Sequence, residues 1–144
     1  MTTVRTILAR KGSTVHSVQA GDTVLAAARV MNERGIGGVV IQERGEMVGI
    51  FTERDILRRV VAEQKDPSQT TVRDVMTAPV VTCNPDTPLE DCMQVMSARR
   101  NRHLPVVSED GLCGMLTTGD ILAYQVQEHE DTIQHLNNYI HDLR

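Results

Sequence analysis

The sequence of 144 residues has very few aromatic side chains: no Trp, one Phe and two Tyr. Proteins that bind single-stranded nucleic acid or sugars commonly stack the ligand on aromatic rings, so both ligand classes are disfavoured. The chain also lacks a surplus of positive charge, since 15 Lys and Arg stand against 19 Asp and Glu. General nucleic-acid binding requires such a surplus, and we therefore expect no nucleic-acid partner. A local cationic pocket remains compatible with the net charge of −4.

Cysteines and long hydrophobic runs are also scarce. Cys83, Cys92 and Cys113 are odd in number and lack Cys-x-x-Cys or Cys/His spacing, which disfavours a disulfide framework or a metal site. We expect three small buried side chains instead. No run approaches the length that spans a bilayer, and residues 1–13 lack the apolar centre of a signal peptide. These features predict a cytoplasmic protein with no membrane partner.

The two halves of the chain repeat one order of predicted elements. Each half has apolar residues at i, i+3, i+4 and i+7, which indicates an amphipathic helix: Val24, Ala27, Ala28 and Met31 in the first, and Leu89, Cys92, Met93 and Met96 in the second. A short strand is predicted before each helix, over 14–18 and 79–83. Two β-rich runs joined by a Gly-bearing turn follow each helix and predict a hairpin, and a second helix comes next. The unit is β-α-β-β-α, written twice.

Segment boundaries follow from composition. The polar, Pro-containing residues 64–71 are the predicted linker between a first repeat, 4–63, and a second repeat, 72–127. Residues 72–76 predict a helical turn, and 128–144 form a helical extension. A unit of this size buries too little surface to be stable alone. We therefore predict one α/β (α+β) module in which two repeats pack sheet against sheet with pseudo-two-fold symmetry.

The C-terminal extension carries a heptad pattern. Residues spaced alternately by four and three form its seam: Leu122, Val126, His129, Ile133, Leu136, Ile140 and Leu143. About three heptads are close to the minimum for a coiled coil. The pattern predicts a homodimer through this helix, and the alternative is a long helix laid across its own domain. His129 is predicted to be a register position rather than a metal ligand.

A Gly-x-x-Thr-x-x-Asp phrase occurs in each half, as GIFTERD and GMLTTGD. Thr52 and Thr117 are predicted at strand ends, and Asp55 and Asp120 in the first turn of the following helix. This spacing is typical of a capping box, in which the two side chains bond the backbone of the helix start. The same groups suit a ribose phosphate, because a helix N-terminus binds phosphate and a carboxylate accepts ribose hydroxyls. Both interpretations stay open on the sequence.

The residues between Thr and Asp differ between the copies. Glu53 and Arg54 place a guanidinium beside the predicted phosphate position of the first copy. Thr118 and Gly119 supply an extra hydroxyl and exposed backbone in the second.

The cations of the second half come just before a strand, in RRNRHLP. Arg102 and His103 are equally compatible with a solvated helix end and with phosphate contact. Arg99 and Arg100 are expected on the surface.

The paired units, RHLPVV, the hinge VMTAPVVT and the two repeated phrases together resemble a tandem pair of cystathionine-β-synthase (CBS) domains, over roughly residues 4–127. ILARKGSTVHSV and ERDILRRV are similar to small stand-alone bacterial CBS-pair proteins. The resemblance implies a regulatory module that binds AMP, ATP, NAD(H) or S-adenosylmethionine as an effector, in clefts between the repeats. It also implies a dimer.

The resemblance assigns site residues, with Asp on the ribose, Thr on phosphate and the first strand of each unit against adenine. The first site comprises Val15, His16, Ile36, Thr52, Arg54 and Asp55. The second comprises Val80, Val81, Asn101, Arg102, His103, Thr117, Thr118 and Asp120. The first half has GGVVIQ where the second has RHLPVV, so Arg54 and Lys11 are expected to supply the phosphate charge of the first site. The two sites are therefore expected to differ in ligand or affinity.

Two functions follow from these features. The first is a non-catalytic nucleotide sensor in which occupancy shifts the packing of the halves or of two subunits. The alternative is a protein-interaction or oligomerisation module with vestigial sites, whose C-terminal helix recruits an unidentified regulated protein. No Ser-His-Asp, Cys-His or metal-ligand constellation is evident in the sequence, so we predict neither catalytic residues nor an enzyme.

Overall fold

The computed structural model describes residues 1–142. The first half contains a three-stranded sheet in the order β1-β2-β3, with β1 parallel to β2 and β2 antiparallel to β3. Its elements are β1 (Ser17–Gln19), α2 (Val24–Arg34), β2 (Gly38–Glu43), β3 (Glu46–Thr52) and α3 (Glu53–Asp55), which continues in π-helical turns over Ile56–Val61.

The second half repeats this order with one strand fewer. Its elements are α5 (Leu89–Arg99), β4 (His103–Ser108), β5 (Gly111–Thr117) and α6 (Thr118–Asp142), and β4 pairs antiparallel with β5. Two strand predictions are corrected. The strand predicted over 79–83 is reduced to a parallel bridge between Cys83 and Val106, and the one predicted over 14–18 begins only at Ser17. Residues 77–81, here called the connector, instead bond β3, where Thr77 N donates to Ile50 O at 2.8 Å.

The amphipathic helices form where the periodicity predicts them. Thr23 caps α2 by accepting a hydrogen bond from Ala26 N at 3.1 Å, and Gly35 ends it in the left-handed region at φ 64°. α5 ends the same way at Arg100, with φ 56°. The predicted apolar stripes face the two cores, with Val24, Ala27, Met31, Leu89, Cys92 and Met96 all buried. Ala28 is half-buried and Met93 is 39% exposed.

Two short helices exchange places between the halves. α1 (Val4–Lys11), which the sequence patterns did not predict, buries Val4 and Ile7 in the core of the second half. α4 (Val72–Val75), predicted as a helical turn, buries Val72 and Val75 in the core of the first. Each half is therefore completed by the helix that precedes the other half in sequence.

A third apolar cluster lies between the two sheets. It contains Val40, Ile50 and Met115, with Val15 and Val80 packed beside it. Val40 and Ile50 come from the first sheet and Met115 from the second, so the sheets pack on each other as predicted.

The C-terminal helix extends away from this module. α6 begins against α1, where the Arg10 guanidinium lies 4.8 Å from the centre of the Tyr124 ring. From residue 125 to residue 140 every side chain is exposed, so the helix is not laid across its own domain. The heptad residues Leu122, Val126, Ile133, Leu136 and Ile140 are each about half exposed or more; Leu143 lies outside the described residues. Within residues 1–142, no helix is long and apolar enough to cross a membrane.

Candidate functional site

The two Thr-x-x-Asp phrases both act as helix caps. Thr117 N donates to Asp120 Oδ2 at 2.9 Å, and Asp120 N donates to Thr117 Oγ1 at 3.1 Å. In the first copy Thr52 N donates to Asp55 Oδ2 at 2.9 Å. The capping interpretation is therefore correct for both helices.

Asp55 is more heavily engaged than a cap requires. Its residue is only 6% exposed, and Thr77 Oγ1 donates to its Oδ1 at 2.8 Å. Arg59 Nε lies 3.8 Å from the same oxygen. Asp55 Oδ2 also accepts a hydrogen bond from Thr52 Oγ1 at 3.4 Å. A carboxylate oxygen has two lone pairs, so Oδ1 but not Oδ2 still has room for a second donor.

Asp120 has a different partner. Lys11 Nζ donates to Asp120 Oδ2 at 2.7 Å and to Met115 O at 2.8 Å. The expectation that Lys11 serves the first site is therefore wrong. Lys11 lies in the second half, because α1 packs on the core of that half. Thr77 plays the corresponding part in the first half. It donates to Asp55 through its hydroxyl and to Ile50 O through its backbone N–H.

The glycine of each phrase is explained by the exchanged helices. A Cβ added at Gly114 would lie 2.9 Å from Leu8 Cδ2 of α1, which is closer than real side chains approach. A Cβ at Gly49 would overlap Met76 Sδ, directly after α4. The absence of a side chain at these glycines therefore makes room for the packing of α1 and of the residue after α4, rather than for a ligand.

One cavity of about 910 Å³ lies between the halves and is lined by both of them. The first half supplies the start of α3 and its continuation, and the second half supplies the end of α5 and the start of α6. The connector residues Thr77, Pro79, Val80 and Val81 form a further wall. This volume falls in the range of small-molecule sites.

The cavity mixes the two predicted residue sets. Its lining includes Thr52, Arg54 and Asp55 from the first set, and Val80, Val81, Asn101, Arg102, His103 and Thr118 from the second. The remaining predicted residues, Val15, His16, Ile36, Thr117 and Asp120, are not part of this lining. Ile36 packs on the core of the first half, and Val15 on the cluster between the sheets. His16 contributes its backbone oxygen to Val40 N.

The structure therefore combines the first-strand residues of one predicted site with the carboxylate of the other. Val80 and Val81 belong to the second repeat but line the same cavity as Asp55 of the first. The cause is the antiparallel bridge between Thr77 and Ile50, which binds the connector to β3.

His103 links the two halves at the edge of the cavity. A Cβ added at Gly38 would lie 3.2 Å from the His103 ring, so the ring packs on the backbone of the first half. Burial lowers the pKa of His103 below its ordinary value of 6.5. Glu53 and Asp120 oppose this shift, whereas Lys11 and Arg102 add to it.

The lining residues that the sequence predictions did not assign to a site include Thr77, Arg58 and Arg100. Arg100 was expected on the surface; it is exposed, yet it borders the cavity. Aligning VRTILARK with VRDVMTAP would have matched α1 to α4.

The cysteines lie away from this cavity. Cys83 and Cys92 are buried and Cys113 is half-buried. Burial raises the pKa of the Cys83 thiol to about 12, which keeps it protonated and unreactive.

Comparison with known proteins identifies the family. The family model for the CBS domain matches residues 4–62 and again residues 72–127. The chain belongs to the CBS-domain family. It is a tandem CBS pair, the architecture of a family of regulatory modules.

Similar CBS proteins occur in plants and bacteria. The chain is 34% identical to the mitochondrial CBS domain-containing protein CBSX3 of Arabidopsis thaliana, over 96% of this chain and 72% of that protein. It is 34% identical to the CBS domain-containing protein YhcV of Bacillus subtilis, over 88% of this chain and 89% of that protein. The solved structure of a CBS-domain protein from Burkholderia ambifaria superposes with a TM-score of 0.85 at 36% identity, covering 88% of this chain and 95% of that one.

Proposed function

We propose that this CBS pair binds an adenine nucleotide in the cavity between its repeats and acts as a non-catalytic sensor. The observation that supports this most is the composition of the cavity walls. Val80, Val81, Met93 and Met96 offer apolar surface to a base, while Arg54 offers donors to phosphate. Asp55 borders the same space, and its Oδ1, which accepts one hydrogen bond, has a lone pair for a ribose hydroxyl.

Occupancy would be communicated through the packing of the two repeats, because both contribute walls. Arg54 Nη1 donates to Arg100 O at 2.5 Å, a bond between α3 of the first repeat and the end of α5 of the second. A phosphate that recruits Arg54 competes for this bond and changes how the repeats are held together. The exposed heptad of α6 would carry that change to a second copy of the chain, and so to a regulated protein.

Isothermal titration of the purified protein with AMP, ATP, NADH and S-adenosylmethionine tests the sensor. At least one should bind with a Kd below about 1 mM, which corresponds to roughly 4 kcal/mol of affinity. Binding of none of them would refute the proposal.

A matched pair of variants on α5 assigns binding to this cavity. Ser97 is exposed and lines the cavity, so Ser97→Trp should fill the space and abolish binding. Ala98→Trp places the same ring on a neighbouring exposed position outside the lining and should leave binding intact. Equal binding by both variants would place the ligand elsewhere.

A further inference from the structure

Four arginines line the cavity from two sides. Arg54 and Arg58 lie on α3 and its continuation, and Arg100 and Arg102 lie just beyond α5 on the opposite repeat. Within residues 1–142, none of the four comes within 4.0 Å of a carboxylate oxygen. The neighbouring Arg59 differs, because it approaches Asp55 and donates to Met76 O at 2.6 Å.

The carboxylates that share the cavity do not cancel this charge. Among the described acidic residues only Glu53 and Asp55 belong to the lining, which leaves it with a net charge of +2 when His103 is neutral. Asp55 is buried among Thr52 N, Thr77 Oγ1 and Arg59. Glu53 lies beside Gly37, where an added Cβ would meet its Cδ at 3.4 Å. The whole chain carries a net charge of −4, so the local surplus is opposite in sign to the molecule that contains it.

Within the described part of the chain, one hydrogen bond engages these guanidiniums, and it does not neutralise them. Arg54 donates to the carbonyl oxygen of Arg100, whose backbone turns into the left-handed region at φ 56°. A carbonyl accepts the bond without removing the charge, so an anion entering here need not first separate an ion pair. Burying such an anion between several guanidiniums forms charge-assisted hydrogen bonds, which are stronger than neutral ones.

We propose that the cavity is specific for a nucleoside polyphosphate, a di- or triphosphate, over a monophosphate or an uncharged or cationic nucleoside. The inference rests on the proposed nucleotide site and adds the charge of the nucleotide that the site prefers. Since a terminal phosphate has a second pKa near 6, a monophosphate carries about two negative charges at neutral pH and each added phosphoryl group contributes about one more. The surplus of arginines therefore favours the longer phosphate chain.

The test is titration of the full chain with adenosine, AMP, ADP and ATP at fixed ionic strength, with and without Mg²⁺. Affinity should rise in that order, with ATP at least about tenfold tighter than AMP in the absence of Mg²⁺. The ATP affinity should also fall more steeply with added salt than the AMP affinity, because exposed charges are screened. Equal affinities, or a preference for AMP, would overturn the inference and leave nucleotide binding standing; no binding by any nucleotide would overturn both.

Arginine variants assign the preference to these side chains. Arg58→Gln and Arg102→Gln should each reduce ATP affinity by a larger factor than AMP affinity. Arg99→Gln removes an exposed charge from the end of α5 outside the lining and should change neither. Equal losses for both nucleotides in the two lining variants would contradict the proposal. Inorganic tripolyphosphate should bind more weakly than ATP, and tripolyphosphate binding as tightly as ATP would show that the nucleoside is not recognised.

Discussion

Asp55 and Asp120 occupy equivalent positions but have different surroundings. The Asp55 side chain is 8% exposed and bonded through both oxygens, whereas that of Asp120 is 20% exposed and bonded through Oδ2. The more deeply buried carboxylate accepts hydrogen bonds from Thr52 and Thr77, which are themselves half-buried. Loss of the Asp55 carboxylate leaves those donors unpaired. This lowers the free energy of unfolding more than loss of a solvent-exposed carboxylate does.

We therefore expect Asp55→Ala to lower the free energy of unfolding of the ligand-free protein by about 2–4 kcal/mol, and Asp120→Ala by about 1 kcal/mol. Urea denaturation at neutral pH measures both values. Thr77→Val removes only the Oδ1 donor and should lie between wild type and Asp55→Ala. A loss for Asp55→Ala no greater than that for Asp120→Ala would show that burial does not separate their roles.

His103 makes stability depend on pH. Its pKa is lowered in the folded protein, mainly by burial, so the unfolded chain binds a proton at higher pH than the folded chain does. Stability should therefore decrease as the pH falls through 6.5 towards the folded value, by at most about 1.4 kcal/mol per pH unit. Well above pH 6.5 both states are neutral at this residue and the effect vanishes.

Denaturation at pH 7.5 and pH 5.5 should show a smaller pH dependence for His103→Gln than for wild type. His129→Gln changes an exposed histidine on α6 and serves as the control, with wild-type behaviour expected. An unchanged pH dependence in His103→Gln would assign it to other groups.

At the scale of elements, the module leaves the side chains of α6 exposed from residue 125 to residue 140. A seam of Ile133, Leu136 and Ile140 is exposed by 52–57%, and it continues the heptad of Leu122 and Val126. Such a repeated apolar seam is stabilised by a second helix that covers it. We expect a homodimer, in which the seam of one copy packs on that of the other.

Ile133→Glu should shift the protein towards monomer by placing a charge in the seam, and sedimentation velocity over a range of concentrations measures this. Asn138→Glu adds the same charge on the opposite face of the helix, at an exposed position, and should leave the association unchanged. Equal sedimentation of the two variants as dimers would exclude the seam as the interface.

Periodicity predicted α2, α5 and both hairpins because each is determined by local spacing of apolar residues. It did not reveal α1, whose eight residues are capped by no side chain and gain their burial from residues far along the chain. The crossed pairing of Val80 with Asp55 was missed for the same reason. The repeated Thr and Asp could be identified from the sequence. The residues that contact them could not, because those contacts depend on which half the connector packs against.

For the whole molecule, the exchange of α1 and α4 should make unfolding cooperative. Val4 in α1 and Val72 in α4 are fully buried, each in the core of the half that it does not precede. Val4→Ala and Val72→Ala should each cost about 1.5–3 kcal/mol, since burial of a valine side chain contributes on that scale. Calorimetry should show one transition, lowered in both variants. Two transitions, with a different one shifted by each variant, would show that the halves unfold independently.

The exchanged helix also sets an order of events during synthesis. Lys11 meets Asp120 and Thr2 meets Tyr124, contacts that span 109 and 122 residues of chain. At about 5–20 residues per second, a ribosome needs several seconds or more to make the partners of α1 after α1 itself has emerged. During that time Val4 and Ile7 have no core to enter, although α4 can already dock on the finished first half. The nascent chain thus carries an apolar segment that a holding chaperone could recognise, and its release would coincide with completion of the second sheet.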